Sequence, residues 1–448
     1  MTADATSSCA QPGCAASAGA SLSYPGMTSQ PTAQWQAAVT QFNDTIANDP
    51  IKFAVTLPCG DLITGSTSVV TRWDVTSGTM VWRTTSFPLP GVPSDYRRML
   101  QSVAVPGIAP DLVLLIINVN NQTAPLPADC SSYGVLLNAT TGTAISSNYL
   151  ARFTAVDSSE FTTPVLVPDQ SSCVLVCNPG FVTDGQRWSA CYLYDIATLG
   201  FLNVVANASC SKPILHLSPA FIAVSLVMTG SAQQTLSSAD PAAVGTEANR
   251  WIVVDGLTGA VLTSAISLDP ACERFALVSL VPSTQPVLSQ LALVCSSSSR
   301  ASAVRVSDGT LNWNEPAASA TNPIGDLVDL RWQLLDQDPV ILIVRMNLVY
   351  ALRAMNGAEV WTSAAQACCV DRISTYVLAD IVLQLYSRGS LVAVSLQDGG
   401  ALWSMRASTA VDSLAITDAG RGFYTIGDEF VTLYSVGTYI SLYQLICV

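Results

Sequence analysis

The sequence predicts an all-β chain, an eight-bladed β-propeller of four-stranded antiparallel blades, and three observations carry that expectation. A short hairpin pattern recurs eight times along the 448 residues. Its apolar residues alternate as those of strands do. Its spacing averages about 51 residues, room for four short strands and their loops.

The pattern is an alternating apolar run, a polar residue, three variable residues, a glycine and, in half of the copies, a tryptophan four residues later. Two copies read VTRWDVTSGTMVW and LVYALRAMNGAEVW. The glycines are Gly78, Gly142, Gly200, Gly259, Gly309, Gly357, Gly399 and Gly437, and the interval shrinks from 64 residues between the first two to 38 between the last two. Glycine there is expected at the positive-φ position of a tight turn. The aromatics that follow, Trp82, Trp313, Trp361 and Trp403, are placed to reach a neighbouring blade. Further apolar runs precede each hairpin, such as LVLLIINV before Gly142 and VILIVRM before Gly357, and bring each repeat to about four strands.

Residues 1–30, rich in Ala, Ser and Gly, read as an arm in which Cys9 and Cys14 could close a small loop. Residues 31–448 read as the single propeller. Within 31–50, the segment PTAQWQAAVTQF with Trp35 reads either as a strand closing the ring beside the last repeat or as an amphipathic helix capping one face. The earlier repeats carry the longer insertions. Of these, 122–133, 178–188 and 230–249 are the expected contact loops.

VVDGLTGAVL and WDVTSGTMVW resemble the pyrroloquinoline-quinone-like repeat, roughly ALDxxTGxxxW, and the likeness extends over about residues 51–448. That resemblance implies the propeller fold but no single activity, because it embraces quinoprotein alcohol dehydrogenases, a bacterial outer-membrane assembly lipoprotein and lumenal stress-sensor domains. The vicinal Cys368 and Cys369, with Arg372 shortly after and Trp403 closing the repeat, look like the quinone-facing stretch of the dehydrogenases. The calcium ligands and catalytic base that such enzymes need cannot be traced. Here the cysteine pair falls in the seventh repeat, whereas the dehydrogenases carry it early. No cofactor and no metal are therefore expected.

Composition narrows the remaining classes. Charged residues make up 11% of the chain, against roughly 25% in an average soluble domain, and the net charge is −13 with a single histidine, His216. A nucleic-acid partner would need basic residues that are missing. The two lysines, Lys52 and Lys212, lie outside any phosphate-binding loop motif. No GxSxG elbow occurs, and His216 sits in an apolar run. The longest apolar stretches fall short of the ~20 residues of a spanning helix. No signal peptide is visible at the N-terminus.

Thirteen cysteines point to an oxidising, extracellular or lumenal compartment. Cys177 and Cys191, flanking a glycine-containing connection between two strands, are the expected disulfide. Sequons at Asn43, Asn121, Asn138 and Asn207 are glycosylation candidates, in a number close to what chance placement gives. The expected function is a non-catalytic extracytoplasmic scaffold with protein partners, as a subunit of a larger assembly. The alternatives are a quinone-dependent alcohol dehydrogenase and a lumenal sensor or receptor domain.

Overall fold

The computed structural model describes residues 30–435 except 39–52, 101–111, 122–127, 156–163, 167–172, 208–214, 227–248, 269–273, 282–286, 297–300, 316–326, 365–371, 408–412, 417–421 and gaps of at most three residues elsewhere. The chain is all-β. Among the described residues the one helical element is the 3-10 turn Leu288–Gln290. The strands form eight four-stranded antiparallel sheets. In chain order they take residues 53–84 (sheet 1), 96–155, 164–207, 215–268, 274–315, 327–364, 372–406 and 413–435 (sheet 8). Sheets 1 to 7 are simple meanders. Sheet 8 draws three strands from the C-terminal end and its fourth, outer strand from Thr32–Ala38. That segment is thus a strand, and it ties the two ends of the chain into one ladder.

Where their side chains are described, the second and third strands of the sheets are largely buried. Leu291–Ser296 and Ile381–Tyr386 are buried at every residue, as strands covered on both faces must be. Their side chains fill apolar clusters that lie between sheets. One joins sheets 1 and 2 around Ile63, Val113 and Leu137, and others join 4 with 5, 5 with 6, 6 with 7 and 7 with 8. A further cluster packs Leu62 and Trp73 of sheet 1 against Tyr424 and Leu433 of sheet 8. The first strands of sheets 4 to 7 lie side by side in succession, and so do those of sheets 8 and 1. The last sheet therefore meets the first.

The recurring hairpin explains this stacking. In sheet 1, Asp74 Oδ1 accepts the N–H groups of Thr76 (3.0 Å) and Ser77 (2.7 Å), and Gly78 N–H donates to the Asp74 carbonyl (2.9 Å). Asn138 does the same for Thr140 and Thr141 in sheet 2, so this sequon asparagine has a turn-forming role. In sheets 5 and 7 the acid has moved to just before the glycine, where Asp308 and Asp398 accept from Thr310 and Gly400. Sheet 3 departs from the sequence expectation. The left-handed residue is Leu199, at φ 53°, and not Gly200. Leu199 is buried, where its methyl groups pack near Gly134 of sheet 2. Burial of an isobutyl side chain worth about 1.5–3 kcal/mol offsets the ~1–2 kcal/mol of an unfavourable φ.

Candidate interaction surface

Every outer strand begins with the same irregularity. In sheet 1, Arg72 pairs with Trp82 and Trp73 with Met80, so Val81 has no partner and forms a bulge. The same shift leaves Gln34, Ile145, Leu202, Asn312, Val360 and Leu402 unpaired in sheets 8, 2, 3, 5, 6 and 7. In sheet 4, Leu262 holds the equivalent place, its N–H donating to the Val253 carbonyl (2.8 Å). A bulge re-aims the side chains beside it. Here it turns the following residue toward the next sheet and pushes the bulged residue outward.

The inward consequence is a lock. The indole N–H of Trp35, Trp82, Trp313 and Trp361 donates to the carbonyl of Val75, Ala139, Ala354 and Leu396 in the next sheet, at 2.7, 2.7, 2.7 and 2.6 Å. Each ring lies flat on that sheet's turn glycine. A Cβ on Gly78, Gly142, Gly357 or Gly399 would stand 2.5, 2.6, 2.7 or 2.6 Å from the ring. Those glycines are needed both for φ near +70° and for the close approach. Beside one lock sits a buried ion pair. Arg72 reaches Asp61 at 2.6 Å and donates to the Ala139 carbonyl (2.8 Å), which also accepts from Trp82. Burial pushes the Asp61 carboxyl above its usual range, against the Val75 N–H and Arg72 that pull it down.

The outward consequence is an apolar belt. Six of the eight bulge positions are Val, Ile or Leu, and the residue before the bulge is often apolar too. Met80, Val81, Ile145, Phe201, Leu202, Val261, Leu262, Leu311 and Leu402 are all exposed large hydrophobics. Sheets 1 to 4 carry them without interruption. Sheets 5 and 8 break the belt with Asn312 and Gln34. Asn312 shows where a bulge residue reaches, because its Nδ2 donates to the Met355 carbonyl in the turn of the next sheet (2.9 Å). The belt residues sit at corresponding places above successive turns. Exposed apolar side chains recurring at one place in successive sheets are the candidate contact surface of this molecule.

The residues singled out from sequence fall elsewhere. Cys9, Cys14, Asn43, Cys368 and Cys369 lie outside the described residues, as do 122–127 and 230–248 of the expected contact loops. Arg372 opens a strand of sheet 7, and His216 lies in the first strand of sheet 4. Asn121 and Asn207 end strands. The expected loop at 178–188 is instead the continuation of two paired strands, Cys173–Thr183 and Gln186–Asp195, because its Phe, Val and Trp residues extend the ladder beyond a bulge. Cys177 and Cys191 face each other in that ladder. Among the described residues, no three His, Cys, Asp or Glu side chains gather as a metal site would require, and no helix is long and apolar enough to cross a membrane.

Comparison with known proteins supports the repeat reading. Residues 223–363, spanning sheets 4 to 6, match the profile of a family described as outer membrane protein assembly factor BamB. Among solved structures, the C-terminal WD40 domain of Sif2 is 8% identical with a TM-score of 0.56, over 92% of this chain and 100% of that one. The chain has a β-propeller fold, and its residues 223–363 are similar to pyrroloquinoline-quinone-like repeats. The computationally designed protein Ika8 is 12% identical with a TM-score of 0.50, over 92% of this chain and 98% of that one. BamB from Moraxella catarrhalis is 13% identical with a TM-score of 0.49, over 91% of this chain and 98% of that one. No curated protein matches the chain in sequence. At these identities the structural likeness concerns the fold.

Proposed function

We propose that this propeller is an extracytoplasmic protein-interaction scaffold, a subunit of a larger assembly, whose partner lies on the apolar belt of sheets 1 to 4. In this reading the eight sheets are the eight blades of one closed ring. The contact between sheets 8 and 1, and the N-terminal strand completing sheet 8, support that closure. The observation that carries the function is the recurrence of apolar bulge residues. A side chain repeatedly turned to water has no packing reason to be Val, Ile or Leu, and sheets 5 and 8 fold with Asn and Gln in the same place. The low charge of the chain agrees, since 11% charged residues leaves little to keep a free surface hydrated. The cysteine count supports an oxidising setting.

The test uses the change that sheet 8 already tolerates. The variant Ile145→Gln, Leu202→Gln, Leu262→Gln is expected to keep the circular-dichroism spectrum and urea midpoint of the wild type. Native mass spectrometry of gently isolated wild-type protein is expected to show a partner in fixed stoichiometry, and the variant to lose it. A monomeric wild type, or a partner retained by the folded variant, overturns the proposal.

A further inference from the structure

The junction between sheets 4 and 5 has the receiving half of the tryptophan lock without the donor. Gly309 adopts the same left-handed conformation as the locked glycines, φ +69°, in the same turn. Its N–H donates to the Arg305 carbonyl (3.0 Å) as that of Gly357 does to Arg353 (2.8 Å). Val306, three residues before it, stands where Val75, Ala139, Ala354 and Leu396 accept an indole N–H in the other sheets. Sheet 4 has no indole at the position after its bulge. The residue after its bulge is Thr263, whose hydroxyl accepts the Val253 N–H within its own sheet (3.0 Å).

Among the described residues nothing lies within 4 Å of a Cβ built on Gly309. Glycine at that φ is required by the turn whether or not a ring lies on it, so Gly309 alone carries nothing. The weight rests on its company. Leu311, two residues on, is the most exposed large hydrophobic among the described residues, at 62%. Four other seats of the same geometry each hold an indole.

We propose that this seat takes a tryptophan side chain presented by a partner protein, its ring on Gly309 and its indole N–H donating to the Val306 carbonyl. The four filled seats define the occupant: a flat ring with one edge donor fits, and a Cβ in the ring's path does not. Tryptophan is also the side chain that most often anchors protein interfaces, because it combines large apolar area with a single donor. Leu262 of sheet 4 occupies the register position from which Asn312 of sheet 5 reaches the next turn. It extends the apolar wall of the seat, continuous with the belt. The proposal rests on the scaffold reading only in calling the occupant a partner.

The experiment uses the full chain and N-acetyl-5-fluorotryptophanamide as probe, read by fluorine NMR line broadening and by competition with N-acetyltryptophanamide. Wild type is expected to broaden the probe signal. Gly309→Ala puts a methyl group where the ring would lie, with no neighbour to clash with, and is expected to weaken association at least about tenfold. Thr263→Trp supplies the missing indole from within the chain. It is expected to weaken probe association similarly and to raise the urea midpoint; it keeps the test alive should Gly309→Ala fail to fold. No broadening by wild type, or equal broadening by all three proteins, overturns the seat. The belt variant Ile145→Gln, Leu202→Gln, which leaves Leu262 in place, serves as the discriminating control. A seat that fails to bind indole while the belt variant still loses its partner refutes the seat alone.

Discussion

Replacing two glycines of identical backbone conformation by alanine separates what the turn needs from what the lock needs. Gly142 and Gly309 sit at φ +70° and +69° in equivalent turns. Forcing a Cβ into that region costs about 1–2 kcal/mol at either site. At Gly309 that is the whole cost, because nothing described lies within 4 Å of the new methyl. At Gly142 the methyl would stand 2.6 Å from Trp82 Cδ2 and Cε3. The ring must move. It is only 8% exposed and donates to Ala139 at 2.7 Å. Complete loss of a buried aromatic costs about 3–5 kcal/mol, so even half-displacement adds about 2 kcal/mol to the strain. Gly142→Ala is therefore expected to be less stable than Gly309→Ala by about 2 kcal/mol or more, measured as urea unfolding midpoints at constant m-value. In a Trp82→Ala background the excess should vanish, leaving the conformational strain alone. Equal destabilisation by the two substitutions in the wild-type background would show that the tryptophan lock contributes nothing.

Trp361→Phe keeps a ring on Gly399 but removes the donor to Leu396, and is expected to cost about 1–3 kcal/mol through the unsatisfied carbonyl; a midpoint unchanged from wild type would refute the hydrogen bond's role. Cys177 and Cys191 are register partners, and opposed antiparallel residues hold their Cα atoms about 4.5 or 5.5 Å apart, within the ~4.4–6.8 Å of a disulfide. Non-reducing peptide mapping of protein folded with a glutathione disulfide buffer is expected to recover one cross-linked peptide containing both, and free thiols at both positions would sink the pairing. The carboxyl of Asp308 is held below its usual range by the Thr310 hydroxyl and N–H, and that of Asp398 chiefly by the Gly400 N–H. A depressed carboxylate contributes stability that is present above its unfolded value of 3.8 and lost as pH falls through the lower folded value. The variant Asp308→Asn, Asp398→Asn should thus show a flatter acid limb in thermal midpoint against pH, and an identical limb would refute the assignment.

The parts of this molecule legible in the sequence are those set by neighbours in the chain. The turn glycines at 78, 142, 309, 357 and 399 follow from a local need for positive φ, and the strand before each from simple alternation. Sheet 3 shows where local reading fails. A glycine stands one residue after the true turn position, and packing near Gly134 of sheet 2 makes a buried Leu199 preferable there. The 178–188 segment misled in the opposite way. Its glycines read as a loop, yet Gly180 falls in a bulge and the ladder continues to the Thr183–Gln186 pair.

The belt was unread for a different reason. Apolar residues at the start of an outer strand look like core in a linear sequence, and only the bulge turns them outward. A signal was present nonetheless. Where a tryptophan follows the turn glycine at four residues, a residue at three residues that faced the same core would have to share the ring's side of the strand, and alternation forbids that. Val81 and Leu402 therefore had either to face the opposite side or to leave the sheet plane, and both are unpaired and exposed. Val360, in the same place, is half-buried against the cluster of sheets 6 and 7. The apolar character of Val81 and Leu402 then asks for a second surface, and that requirement links the packing of the ring to the contacts it is proposed to make.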